Sequence, residues 1–139
     1  MIKRIESFDG EWRWLSNFWP VKIVMYGIEY NSVENAYQAS KELNPEMRLK
    51  YKNISPGKSK RLGRNAQLRP DWNERKLEFM EELLRRKFAH PELRSKLLMT
   101  GDAQIIEGNA WHDTFWGVCN GIGQNNLGKI IMKIRSELK

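Results

Sequence analysis

Between Asp71 and His90 the apolar residues Leu77, Met80, Leu83, Leu84 and Phe88 recur three, four and one apart, and this run constrains the fold more than any other stretch. Such spacing puts the side chains on one helical face, which must be covered by something else in the chain. Asp71 followed by Glu74 has capping-box spacing with Asp in the cap place, so a long helix is expected from there to His90. A second stripe, Leu127, Ile130, Ile131, Ile134 and Leu138, predicts a closing helix with Asn126 as its cap. A chain of 139 residues, 40% hydrophobic, has enough apolar material for these faces to share a core, and a single domain over 1–139 is expected.

The remaining elements are shorter. Val21 to Met25 and Ile28-Glu29-Tyr30 flank Tyr26-Gly27 and predict a hairpin. Ser32 is a candidate cap for a helix expected to run to Asn44-Pro45, with Ala36, Ser40, Leu43 and Met47 as its buried stripe. Pro45 then suits the first turn of a restart reaching about Tyr51. After the break at Ser55-Pro56-Gly57, Lys58 to Leu62 predicts a short helix ending against Gly63. Pro91 opens another, with Leu93, Leu97 and Leu98, that ends at Thr100-Gly101. Ala103 to Glu107 and Phe115 to Cys119 are expected as short strands. The class is α+β, dominated by helices, with a small β-sheet.

Composition excludes several functions. No apolar run approaches the roughly 20 residues that span a bilayer, and the N-terminus has no signal-peptide core, so a cytoplasmic chain without a membrane is expected. Cys119 is the only cysteine, which rules out an intrachain disulfide and a Cys-rich zinc site. His90 and His112 are too scattered to suggest a metal centre, and neither a metal nor another cofactor is expected. There is no G-x-S-x-G elbow, no H-E-x-x-H and no Walker A sequence. Net charge is +7, and Met47 to Pro70 carries eight Lys or Arg and no acid, which points to a phosphate-bearing ligand or nucleic acid, or to a merely basic solvated surface.

Functional side chains bunch in four places. In the helix after Ser32, Glu34, Tyr37, Gln38 and Lys41 fall at i, i+3, i+4 and i+7, so one face carries a carboxylate, a phenol, an amide and an amine. A rigid face of this kind suits acid/base chemistry, although a solvated face with an ordinary Glu34–Gln38 or Glu34–Lys41 contact has the same pattern. The second group is Leu15-Ser16-Asn17-Phe18-Trp19, and the third is Gly63-Arg64 at the end of the basic block. The fourth runs from Glu107 to Asn126. There Asp113 lies between Trp111 and Trp116, either as a carboxylate beside ring-stacking surfaces or as a turn cap. Gly121-Ile122-Gly123 ahead of a helix is either an anion cradle or a flexible turn.

These segments occur in an order that resembles the NADAR family of YbiA-like proteins. The matching pieces are Leu15-Ser16-Asn17-Phe18, Tyr30-x-Ser32-Val33-Glu34-x-x-Tyr37-Gln38-Ala39-x-Lys41, Leu62-Gly63-Arg64, Arg69-x-Asp71-Trp72, Lys87-Phe88, Leu97-Leu98-x-Thr100-Gly101-Asp102, Ile106-Glu107, Trp111-x-Asp113-x-x-Trp116-Gly117, Asn126-Leu127-Gly128-Lys129 and Met132-x-x-Arg135. No single piece is specific, but together they cover nearly the whole chain. The resemblance implies a YbiA-like fold and an N-glycosidase that cleaves between a phosphorylated ribose and a base-like amine. It implies two substrate types, riboflavin-pathway phosphoribosylamino intermediates and ADP-ribosyl guanine in nucleic acid, so DNA carrying the modified base is a candidate partner. Glu34 would be the catalytic carboxylate, with Lys41 lowering its pKa, assisting directly or attacking the opened sugar as an amine. Asp113 or Glu107 would stabilise the cationic transition state or orient water. Trp19 and Trp116 would stack on the base, Asn17 would bond to ribose or base, and Tyr37 would line the site. Arg64 with Lys58 or Lys60 would hold phosphate, and Gly63 would let the backbone approach. The alternative is a binding module for ADP-ribose, NAD or nucleic acid with the same pocket and no turnover.

Overall fold

The computed structural model describes residues 3–139. They divide into two compact units, one of Asn17–Lys87 and one of the chain through Ser16 together with Phe88–Lys139.

The Asn17–Lys87 unit opens with the expected hairpin. Strands β1, Arg4–Ile5, and β4, Gln104–Ile105, belong to the other unit, whereas β2, Ile23–Met25, and β3, Ile28–Tyr30, pair antiparallel here with Ile23 opposite Tyr30. Tyr26 and Gly27 both take positive φ, 56° and 70°, the two-residue turn that matches strand twist. Four helices follow: α1, Val33–Ala39; α2, Pro45–Leu49; α3, Pro56–Arg64; and α4, Trp72–Lys87. Helix α1 packs against β2, β3 and the other three helices, and so lies at the centre of this unit.

Helix α1 is shorter than its sequence suggests. It stops at Ala39, where Lys41 and Glu42 N–H groups turn to carbonyls three residues back, and Ser40 Oγ bonds the Ala36 carbonyl. The chain leaves helical geometry where Glu42 meets partners on the segment that follows: the Tyr51 hydroxyl donates to the buried Glu42 carboxylate at 2.8 Å, and Arg48 Nε donates to the Glu42 carbonyl at 2.8 Å. The expected stripe is therefore half realised, with Ala36 and Ser40 buried, Met47 half-buried and Leu43 exposed. Helix α4 buries Met80, Leu83 and Leu84 as predicted but ends at Lys87 rather than His90, and Leu77 is exposed. Its entry is fixed by the Asp71 carboxylate, which accepts from Arg69 Nε at 2.6 Å.

In the other unit β1 and β4 pair in parallel, Arg4 with Gln104 and Ile5 with Ile105. A 3-10 turn over Gly10–Leu15 buries Trp14, whose ring meets Phe88 edge-on at 6.5 Å. Helix α5, Pro91–Met99, ends at Thr100 with Gly101 at φ +62°, as its sequence predicts. Helix α6, Asn126–Leu138, buries Leu127, Ile130, Ile131 and Ile134. Its cap is Asn125 at φ +53° rather than Asn126, and the Asn125 side chain bonds the Ile105 carbonyl and the Glu107 N–H instead of its own helix. Phe115 to Cys119 is not a strand; only isolated bridges form, Gly108 with Val118 and Cys119 with Ile122. The last of these closes over Asn120-Gly121, both at positive φ, so the Gly/Asn stretch is a tight hairpin turn.

Candidate active site

The Ser32 hydroxyl accepts from the Asn35 N–H at 3.1 Å and starts α1 as its sequence predicts. The Glu34 N–H, one of the orphan donors of the first turn, finds the Asn17 carbonyl at 3.0 Å. Asn35 Nδ2 spans to the carbonyls of Tyr51 and Ile54, both at 2.9 Å, and pins the helix to the segment after α2. Every residue of α1 is buried, so the face predicted to be functionalised lies inside the protein: Glu34 is 8% exposed and Gln38 5%.

A buried carboxylate needs partners. Gln38 Nε2 donates to Glu34 Oε2 at 2.6 Å, one helical turn along. Lys41 lies just past the helix end, with its N–H on the Gln38 carbonyl and its own carbonyl accepting from Arg69 N–H at 2.9 Å. Its ammonium is 3.5 Å from the Gly63 carbonyl and 5.9 Å from the centroid of the Trp72 ring. Burial holds the Lys41 amine below its ordinary value of 10.5; Glu34 opposes that shift, and the cations Arg64 and Lys60 of α3 add to it. Tyr37 packs on Trp72 with ring centroids 5.2 Å apart, and Trp72 in turn stacks on Phe79 at 5.8 Å.

Of the residues picked from sequence, Asn17, Trp19, Glu34, Tyr37, Lys41, Gly63 and Arg64 all belong to the Asn17–Lys87 unit. Asn17 Nδ2 reaches Met80 Sδ at 3.5 Å, and its buried Oδ1 has no hydrogen-bond partner among the described residues. Trp19 is half-buried and Arg64 exposed. Two members of the cluster were missed as site residues, Gln38 and Trp72. The i,i+4 spacing marks Gln38 as a neighbour of Glu34, as the hydrogen bond between them bears out, whereas no local pattern places Trp72, 31 residues beyond Lys41, beside it.

Glu107, Asp113 and Trp116 belong to the other unit and make a network of their own. Asp113 Oδ1 accepts from the N–H groups of Phe115 and Trp116, at 3.2 and 2.9 Å, the pattern of a turn-holding carboxylate. Asn109 Nδ2 links Glu107 Oε2, at 3.1 Å, to the Asp113 carbonyl, at 2.9 Å. Gly117 packs directly on Glu107: a Cβ there would lie 1.8 Å from Oε2.

The sequence profile of the NADAR domain matches residues 6–139. The chain belongs to the NADAR family. An N-glycosidase, YbiA, of Shigella boydii is 38% identical over 130 residues, 88% of this chain and 79% of that protein. A riboflavin biosynthesis protein of Vibrio vulnificus is 36% identical over 138 residues, 94% of this chain but 37% of the larger relative. The solution structure of YbiA from Escherichia coli superimposes with a TM-score of 0.85 at 33% identity, covering 99% of this chain and 84% of that one. The α+β fold dominated by helices is thus shared with YbiA.

Proposed function

We propose that this NADAR chain hydrolyses the N-glycosidic bond between a phosphorylated ribose and a base-like amine, with Glu34 as the catalytic carboxylate. That it is an N-glycosidase rests on the family and on relatives that carry that name over most of their length. The observation that carries the assignment of roles is the buried Glu34, fixed by Gln38 and within the electrostatic reach of an amine held below its usual pKa.

The chemistry fits such a pair. Breaking the bond between C1 and the leaving nitrogen develops an oxocarbenium-like cation at C1. A carboxylate near C1 stabilises that charge and accepts a proton from water, whose hydroxyl then bonds C1 while the leaving nitrogen takes up a proton. Lys41 has two parts open to it. As an ammonium it supplies the proton to the leaving amine; as a free amine it attacks C1 of the opened sugar and is released by water. Burial favours the neutral amine and supports the second part.

Phosphate recognition falls to cations of α3. Arg64 and Lys58 are exposed, and Lys60 is half-buried. By contrast Arg48 and Arg69 of the same basic block serve the fold, Arg48 over the Tyr26 ring at 3.7 Å and Arg69 on Asp71. Between the two substrate types, the Vibrio relative's name favours a riboflavin-pathway phosphoribosylamine, and the net charge of +7 favours ADP-ribosyl guanine in DNA.

The test is a release assay with both compounds side by side. Glu34→Gln should lose at least about 100-fold in turnover, the low end of what one general acid or base contributes, and keep its affinity for ribose 5-phosphate or ADP-ribose. Wild-type turnover in that variant would remove Glu34 from the mechanism. Binding of ADP-ribose with cleavage of neither compound would favour a binding module.

A further inference from the structure

Gln38 has an unusual environment for a residue beside a carboxylate. Its side chain is buried, Nε2 donates to Glu34 Oε2 at 2.6 Å, and Oε1 is left inside the protein with no hydrogen-bond partner among the described residues. Only the NH2 end of an amide can face a carboxylate, so satisfying Glu34 forces Oε1 to the opposite side. That side is occupied by α3. Oε1 lies against Gly63, where a Cβ would come within 1.9 Å of Oε1, 2.7 Å of Cδ and 3.2 Å of the Gln38 Cβ.

Gly63 has no positive φ to explain it; its backbone is helical, in the last turn of α3, and makes no use of glycine's conformational freedom. What the position requires is the missing side chain. Gln38 fills the space that any other residue at 63 would take, and the same glycine's carbonyl is the one Lys41 Nζ approaches at 3.5 Å. One backbone position on α3 therefore touches Gln38, the partner of Glu34, and is itself approached by Lys41. A buried carbonyl without a donor is costly, and such costs persist where the surroundings demand them.

We propose that Gln38 is a positioning residue for the Glu34 carboxylate and that Gly63 acts through it, as the surface that keeps the Gln38 amide turned toward Glu34. The proposal rests on the reading of Glu34 as the catalytic carboxylate. It gives Gly63 a part different from backbone approach to a ligand: the space beside its Cα holds a side chain of the protein itself. Gln38 orients Glu34 through its Oε2 oxygen.

The test is a double-mutant cycle on cleavage of a 5-phosphoribosylamino pyrimidine and of ADP-ribosyl guanine DNA, with ribose 5-phosphate and ADP-ribose affinities and thermal unfolding measured alongside. Gln38→Met removes the donor at nearly constant volume and should lower kcat roughly 10-fold or more, the scale of one charge-assisted hydrogen bond, with KM within about twofold. Gly63→Ala should lower kcat comparably. In the Gln38→Ala background, where only the Cβ of residue 38 remains, 3.2 Å away, the same Gly63→Ala change should cost less than about twofold, because the amide it would displace is gone. Independent, multiplying effects would overturn the link between the two residues. Wild-type kcat in Gln38→Met would overturn the positioning role, and that variant decides the matter even if Gly63→Ala does not fold. Glu34→Gln separates the two levels: if it retains turnover, the reading of Glu34 fails; if it is inactive while Gln38→Met is fully active, only the proposal for Gln38 fails.

Discussion

Lys87 ends α4 with 0% of its surface exposed, and burial brings its amine down from 10.5 to about 7. In the unfolded chain the same amine keeps its ordinary value. Between these two pKa values the unfolded state binds the extra proton, so stability must rise with pH across that window. The penalty is fully present below about pH 7 and is gone above the unfolded value of 10.5. At about 1.4 kcal/mol for each unit of difference, the whole window is worth about 5 kcal/mol, of which about 2 kcal/mol falls between about pH 7.5 and about pH 9.5. Lys41 adds to the trend with the same sign, and Tyr30, whose hydroxyl burial raises to about 12, reverses it only above about pH 10. Comparison with Lys87→Met isolates the lysine. Urea unfolding of both proteins across this range should show the wild-type midpoint climbing by roughly 1 M more than the variant's, taking about 2 kcal/mol per M for a protein of this size. Equal slopes with pH in the two proteins would refute the reasoning, because they would mean that the amine titrates alike in the folded and unfolded chains.

Three other outcomes follow from the same geometry. If the Lys41 amine attacks the sugar, borohydride added during turnover should fix the sugar to Lys41, and the yield should rise with pH along a limb below 10.5; Glu34→Gln should move that limb lower still and Arg64→Gln should move it up, since the carboxylate raises and the guanidinium lowers the amine's pKa. A limb that ignores both changes would sink the electrostatic account. Tyr51→Phe leaves the buried Glu42 carboxylate without its hydroxyl donor and should cost about 1–3 kcal/mol in urea unfolding, with a change under about 0.5 kcal/mol counting against the bond. If the exposed cations around Arg64 contact DNA, three phosphate contacts would weaken binding roughly 40-fold from about 50 to about 200 mM salt, and an affinity flat over that range would argue against nucleic acid as substrate.

The elements that could be read from sequence are those whose signals are local. The α4 and α6 stripes, the Tyr26-Gly27 turn, the Ser32 cap and the Pro91 start each depend on residues within a turn or two of one another, and all are present, save that Leu77 of the α4 stripe is exposed. Those that misled were decided by partners outside the element. Helix α1 stops early because Tyr51 and Arg48 bond Glu42, and Phe115 to Cys119 fails as a strand because Asp113 takes the Phe115 and Trp116 N–H groups and the Val118 and Cys119 N–H groups go to two different segments, at Glu107 and Ile122.

The candidate site divides in the same way. The sequence by itself determined that Glu34, Tyr37, Gln38 and Lys41 share one side of a helix and its exit, because helical periodicity is a property of consecutive residues. It also determined the family, because the order of many weak motifs is a property of the whole string. Only the tertiary structure decided that this face is buried rather than solvated, that Trp72 sits beside Tyr37 and Lys41, and that Gly63 is where Gln38 packs. Those facts come from helices packing between residues 25 to 35 positions apart, and no local pattern encodes which side chain of α1 will meet which backbone atom of α3.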